Sequence, residues 1–343
     1  MLEDIINKET LKDSLAYLIS RKDTCGMDGI RIVELPEYLL LNEDKLLESI
    51  YDGTYDPGYV KQFDLVSKKG KQRTISVLNS VDKLVCGPLY KYLLECLSEY
   101  NVEHSYAYQK GKGVLSCVKQ CRSYIEEGYQ YVVHIDIESY FDSIDHGILI
   151  HKLEHIIEDQ KVLMLINKFL EVTTVHYQEI EKKHKGVLQG MAMSGLLGNY
   201  YLYEVDQYLM EHDCKFVRYS DDIKVFVHTY VEGVRVLDDL KDLMKNNLNL
   251  RLNKNKSEIM PVLKSKYFNY YIRHNDGHYV LKKNDRVNGN YYNDWTRKPI
   301  QQSNGELYIL EDGILGKKEM TLLFENESLK KYFPIELTNS INV

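Results

Sequence analysis

Apolar residues along this chain fall into two rhythms, one helical and one alternating, and the switches between them outline the fold. Leu11, Leu15 and Leu18 recur at helical spacing, so residues 1–20 predict a short helix. Within 60–78, VKQFDLVS and RTISVL alternate as strands do, and SKKGKQ, with Gly70, joins them as a hairpin. The run from Val81 to Tyr100 predicts a helix that Pro88 kinks or starts. YVVHIDI at 131–137 is a β-branched strand, and HGILIHKLEHII and QKVLMLINKFLEVTT follow as helices. SGLLGNYYLYEVDQYLMEH, 194–212, predicts one long amphipathic helix opening at Ser194. FVRYSDDIKVFVH at 216–228 is a hairpin, VEGVRVLDDLKDLMKNNLNL a further helix, and SEIMPV and KYFNYYIRH are strand-like. From residue 131 onward the order is β-α-α-α-β-β-α-β-β, not a regular βαβ alternation. It predicts an α+β fold whose antiparallel sheet carries helices on one face. Between Lys282 and Gly305 the period is lost among Asn, Gln and Gly, as in a linker; the tail then shows short strands with turn signals at Asp312–Gly313 and Glu325–Glu327.

Composition narrows the class. With 343 residues, 44% hydrophobic and 28% charged, the chain can bury a core in two or three substructures. No stretch approaches the ~18–20 uncharged apolar residues of a membrane span, and the opening MLEDIINKET is too acidic and polar for a secretory signal. The six cysteines show neither CxxC pairing nor zinc spacing, so they read as reduced thiols of a cytoplasmic protein. A net charge of −7 argues against nucleic-acid binding, yet the charge is uneven. KQFDLVSKKGKQR (61–73), SYAYQKGKGVLSCVKQCR (105–122) and EKKHKG (181–186) are basic, whereas acids gather at Glu43, Asp44, Glu48 and Asp52 and in the tail. Such a mosaic can hide a basic groove, although ordinary solvated faces explain any single run. The 29 tyrosines fit base stacking less well than a general compositional bias.

The chemistry sits in two stretches. Asp221 and Asp222 stand side by side in YSDD, between apolar runs. Taken alone, the pair reads as a solvated hairpin turn, since Asp tolerates turn geometry. The alternative is a metal site at a strand tip. HIDIESYFDSIDH, 134–146, puts Asp136 at a strand end, with Asp142 and Ser143 as helix caps. Two adjacent strands would bring Asp136 beside Asp221 in an oxygen-rich site suited to a hard cation. Two ions ~3.5–4 Å apart suit in-line phosphoryl transfer.

These blocks resemble a family. YSDD resembles the YxDD box of reverse transcriptases, and DIESYFDSI their first catalytic-Asp motif. TCGMDGI, SKKGKQRTISV, SYAYQKGKG, QGMAMSGLLGNYYL and LNKNKS resemble further blocks of the bacterial group II intron type, in family order over about residues 24–260. The resemblance implies a right-hand polymerase: fingers from 1–85 and 147–188, palm from 86–146 and 189–281, a linker at 282–305 and a β-rich segment at 306–343. It also implies an RNA-directed DNA polymerase using two Mg2+ ions, with Mn2+ as a substitute, an RNA template, a DNA or RNA primer and dNTPs. Asp136 and Asp221 would ligate both metals, Asp222 would support them, and the Ile137 carbonyl would complete one sphere. Lys68 or Lys69, with Arg73, would hold the triphosphate, Arg as a planar fork and Lys as a point charge. Phe141 takes the steric-gate position, where its ring crowds a ribose 2′-OH; a core aromatic is the plainer reading. Gln189 and Gly190 would touch the template and nascent pair. Lys256 would protonate pyrophosphate, or simply end a helix.

Departures from the family pattern are Gly195 for a usual proline, expected to loosen a loop near the template, Gln109 for an arginine, and Tyr270 for a glycine. No conventional helical thumb follows the palm. Instead LYILEDGILGKKEMTLLFENESLKKYFPIELTNSINV resembles the opening strands of the CRISPR-associated spacer integrase, so the chain reads as the polymerase part of a reverse transcriptase–integrase fusion serving spacer acquisition and antiviral defence. The integrase, fused or in complex, is the expected partner. A stand-alone defence or retron-like reverse transcriptase, and a catalytically silent RNA-binding scaffold, are the rivals.

Overall fold

The computed structural model describes residues 1–21, 23–66, 72–275, 278–283, 307–310 and 313–316. The chain opens with helices α1 (Leu2–Ile5) and α2 (Lys8–Ile19) rather than one helix. Asn7 divides them: its side chain accepts from the Glu9 and Thr10 amides while the Thr10 hydroxyl accepts from its own, a capping box that starts α2 afresh. Helix α3 (Leu35–Tyr51), with proline in its first turn, was not foreseen. Strands β1 (Val60–Val66) and β2 (Gln72–Val77) form the expected hairpin.

Helix α4 (Ser80–Cys96) runs straight through Pro88, which neither starts nor ends it. Pro88 has no N–H to give the Leu84 carbonyl, one turn back. The Ser14 hydroxyl of α2 donates to that carbonyl at 2.9 Å instead. Gly87 makes room for it, since a Cβ there would lie 2.1 Å from Ser14 Oγ.

The start of α4 also pins the loop at 24–30. Asn79 Oδ1 accepts from the amides of Met27 (2.8 Å) and Asp28 (3.2 Å), and Ser80 Oγ donates to the Ile30 carbonyl. Beside them Asp82, 3% exposed, accepts from Tyr55 Oη at 2.5 Å and from the Gly58 amide at 3.0 Å.

After α5 (Val114–Glu126) come β3 (Tyr131–Ile135), α6 (Tyr140–Ser143), α7 (His146–Glu154) and α8 (Gln160–Leu170). Asp142 and Ser143 lie inside α6, and the cap of α7 is Asp145, which accepts from the Ile148 amide. The expected helix through VTT stops at Leu170. Strands β4 (Thr173–His176) and β5 (Glu179–Lys182) follow, giving a four-stranded sheet of order β2-β1-β4-β5 in which β1 and β4 are parallel.

The expected helix over 194–212 is two, α9 (Ser194–Tyr201) and α10 (Tyr203–Glu211). Strands β6 (Lys215–Tyr219) and β7 (Asp222–Val227), helix α11 (Tyr230–Leu248) and β8 (Glu258–Pro261) complete an antiparallel sheet of order β6-β7-β3-β8. One face, with Val133, Ile135, Ile223 and Val225, packs into the core with residues of α9, α10 and α11. The other, with Val132, Val217 and Phe226, meets Cys117, Cys121 and Tyr124 of α5. Tyr267 and Ile272 join that second core from a small sheet of β9 (Lys266–Tyr267), β10 (Tyr270–Asn275) and β11 (His278–Lys283).

Strands β12 (Leu307–Leu310) and β13 (Gly313–Gly316) pair antiparallel. The linker from 284, Asp312 of the expected turn, and the turn expected at Glu325–Glu327 lie outside the described residues.

Candidate active site

Strand β3 lies between β7 and β8, so whatever follows Ile135 emerges at the middle of the sheet edge. The register Ile135↔Ile223, continued one step, sets Asp136 opposite Asp222, with Asp221 in the adjoining turn. Pairing of Tyr219 with Asp222 makes Ser220 and Asp221 a two-residue hairpin turn. The sequence-level metal reading therefore gains its geometric premise: the two motifs meet.

The three carboxylates have different neighbours. Asp136 is paired with Lys256, whose Nζ stands 3.2 Å from Oδ1, and its backbone carbonyl accepts from the Asn253 amide. Asp222 faces Lys224 (Nζ to Oδ1 3.0 Å) and His134 (Nε2 to Oδ1 3.2 Å). Burial works to raise the Asp222 pKa, but these two bases outweigh it and hold the carboxyl below its usual range. Asp221 has no cation beside it among the described residues. Burial, then the charges of Asp222 and Asp136, push its pKa up.

No three His, Cys, Asp or Glu side chains among the described residues converge into a ready metal cage. The donor set nevertheless fits a hard divalent cation: oxygen ligands alone, one of them a half-buried carboxylate with like charges for neighbours. Ile137 bridges Leu252, and the flanking ladder bonds are made by the Asp136 carbonyl and the Glu138 amide. That pattern directs the Ile137 carbonyl away from Leu252, toward the side on which β7 lies.

Around this centre, Phe141 is half-buried in α6, T-shaped against Tyr140, with Gly198 of α9 beneath it. The Gln189 carbonyl accepts from the Ser76 amide at 2.8 Å and so ties β2 to the loop before α9. Gly190 has a φ of 120°, a conformation that side chains rarely adopt. Arg73 is exposed on β2 opposite Leu65; Lys68 and Lys69 lie outside the described residues. Not every basic residue faces solvent: Lys61 is 7% exposed, and Lys112 donates to the carbonyls of Val102, Glu103 and Ser105.

Sequence reading passed over the support behind the turn. Arg218, 1% exposed, donates to both Asp206 oxygens, to Asn199 Oδ1 (2.8 Å) and to the Ser220 carbonyl (3.2 Å). The Asp206 carboxyl is itself fully buried in α10. One guanidinium thus joins α9, α10 and the β6–β7 turn. The signal was available: an arginine and a lysine, Arg218 and Lys224, interrupt two strands that are otherwise mostly apolar. Gly195 is not in a loose loop but in the first turn of α9, and the Tyr108 ring occupies the space above it.

The described geometry has parallels among known proteins. The sequence profile described as reverse transcriptase (RNA-dependent DNA polymerase) matches residues 63–274. The group II intron-encoded protein LtrA of Lactococcus lactis subsp. cremoris is 32% identical over 184 residues, covering 52% of this chain and 30% of that protein. The chain therefore spans under a third of that relative's length. Protein YkfC of Escherichia coli K12 is 22% identical over 301 residues, covering 76% of this chain and 78% of that one. Among solved structures, telomerase from Candida albicans, in complex with a fragment of telomeric RNA, superposes with a TM-score of 0.54 at 14% identity, covering 68% of this chain and 46% of that chain. Apo telomerase from Candida tropicalis gives a TM-score of 0.52 at 13% identity, covering 66% and 48%. At such identities the likeness is one of fold.

Proposed function

The chain belongs to the reverse transcriptase family, and from that premise we propose that it is an RNA-directed DNA polymerase acting by two-metal nucleotidyl transfer on an RNA template, a DNA or RNA primer and dNTPs. The observation that carries the reading is Asp221, held in a hairpin turn beside Asp136 without a neutralising cation among the described residues. We assign fingers to 1–85 and 147–188 and palm to 86–146 and 189–281, and place the protein in the cytoplasm; no helix among the described residues is long and apolar enough to cross a membrane.

Asp136 and Asp221, with the Ile137 carbonyl, would hold the ions, and Asp222 would support them from its pairing with Lys224. Bound Mg2+, or Mn2+ in its place, would stabilise the charge developing on the attacking and leaving oxygens. Arg73, with Lys68 or Lys69, orients the triphosphate through its phosphate oxygens. Phe141 presents its ring to the sugar and excludes a 2′-hydroxyl. Gln189 and Gly190 lie along the nascent pair, where glycine permits close backbone approach. Lys256, paired with Asp136 in the free protein, supplies a proton to departing pyrophosphate.

Primer extension on RNA with dNTPs and Mg2+ tests this. Asp221→Asn should lower the rate by more than ~100-fold, beyond the ~10–100-fold typical of losing a group that merely orients a ligand. Wild-type extension by that variant would overturn the reading. Phe141→Ala should admit ribonucleotides; unchanged discrimination would return Phe141 to a packing role.

The finer assignment, spacer acquisition alongside a CRISPR adaptation integrase, is supported by the likeness of residues 307–343 to that enzyme's opening strands. A co-purification of this chain with such an integrase should yield a complex. Failure to do so would favour a stand-alone defence or retron-like enzyme.

A further inference from the structure

We propose that His146 is a positioning residue for Phe141, bracing its backbone through Gly186 and so setting how strictly the site rejects ribonucleotides. The last step rests on the polymerase reading; the contacts stand without it. Helix α6, which carries Phe141, is a single turn, too short to fix its own direction. Its support comes from residues 185–187, between β5 and α9. The Val187 amide donates to the Phe141 carbonyl and the Gly186 amide to the Ile144 carbonyl, both at 2.7 Å. Lys185 bridges Asp145 in the antiparallel sense. The stretches 141–145 and 185–187 are thus laced together edge to edge.

Gly186 permits the close approach. Its φ of 84° lies in the left-handed region, and a Cβ there would stand 2.9 Å from Asp142 Cα and 3.0 Å from the Phe141 carbonyl oxygen. Both are backbone atoms that cannot swing aside. The Gly186 carbonyl meets His146 Nε2 at 2.7 Å. A carbonyl only accepts, so Nε2 carries the proton. The His146 side chain is buried, 5% exposed, and its Nδ1 has no partner among the described residues. Burial pushes the His146 pKa down, which keeps the ring neutral. The hydrogen bond of this buried ring therefore goes to the residue that braces Phe141. Gly186 also closes the basic run 181–186, whose last residue is thus a brace rather than part of a charged face.

The test is hydrogen exchange of the full chain, followed at the Gly186 and Val187 amides, beside single-nucleotide primer extension comparing kcat/KM for ribo- and deoxyribonucleotides. His146→Leu removes the donor, and His146→Gln puts an amide N–H near the place of Nε2. In His146→Leu both amides should exchange about 10-fold faster. Ribonucleotide use relative to dNTPs should rise about 10-fold, the low end of what fit in an apolar pocket discriminates. His146→Gln should restore both. In a Phe141→Ala background, His146→Leu should raise ribonucleotide use no further. Unchanged exchange in His146→Leu would overturn the proposal, and so would faster exchange with wild-type discrimination, or additive loosening in the double variant. Should His146→Leu fail to fold, Gly186→Ala crowds α6 from the same side and should relax discrimination likewise; wild-type discrimination there overturns the proposal. A wild-type chain that makes no DNA fails the polymerase reading instead, and the exchange comparison alone then decides whether His146 braces Phe141.

Discussion

Two regions of the chain, one at the β6-β7-β3-β8 sheet and one at the start of α4, each bury a carboxylate, and they treat it in opposite ways. Behind the β6–β7 turn, Asp206 is matched by the guanidinium of Arg218, charge against charge, with almost no solvent access to either. At the start of α4, Asp82 is 3% exposed and is met by neutral donors, the Tyr55 hydroxyl and the Gly58 amide. Burial, only partly offset by those hydrogen bonds, raises its pKa to about 6. The first arrangement fixes a charge behind the β6–β7 turn. The second tolerates a group that changes charge near neutrality.

The comparison can be broken at its strongest point first. Asp206→Asn leaves Arg218 buried and half-satisfied, which should cost about 3–5 kcal/mol of unfolding free energy in urea titrations. The double change Asp206→Leu with Arg218→Met should recover most of that stability and still slow extension, because the Ser220 carbonyl loses its donor. Next is the pH dependence that Asp82 imposes. Its folded pKa lies above its unfolded value, so its burial is least costly when the group is protonated in both states. Stability should therefore fall as pH rises from about 4 to about 6, by about 3 kcal/mol, and level off above. Asp82→Asn should flatten that window in urea midpoints measured from pH 4 to 7. The smallest effect concerns the neighbouring loop. A Cβ on Gly26 would lie 2.4 Å from Asn79 Cα, a backbone atom with little freedom to yield. Gly26→Ala should cost about 1–3 kcal/mol by thermal denaturation.

Much of the palm was readable from residue order. Asp136 ends a β-branched strand and Asp221 sits in a turn between apolar runs, so period and turn chemistry agreed. The failures share a cause: each depends on a contact distant in sequence. Strand β5 carries little apolar signal and exists because β4 pairs with it, and β4 exists because β1 lies alongside. Pro88 stays within its helix because Ser14, on another helix, replaces the missing donor. Arg218 was passed over because its partners Asp206 and Asn199 are brought to it only by α9 and α10. Lys224 was hidden in the same way, behind Asp222. In the site, the motif residues were legible and the groups that hold them were not.

The left-handed serine of the β6–β7 turn bears on how this protein would respond to selection for heat tolerance. Hairpins favour glycine where Ser220 adopts a φ of 59°. A screen for thermal survival alone should enrich Ser220→Gly, since relief of such backbone strain is worth on the order of 1 kcal/mol. The same change deletes the hydroxyl that stands 3.5 Å from Tyr108 Oη in the turn before Asp221. Selection for robustness and selection for turnover would pull this one codon in opposite directions.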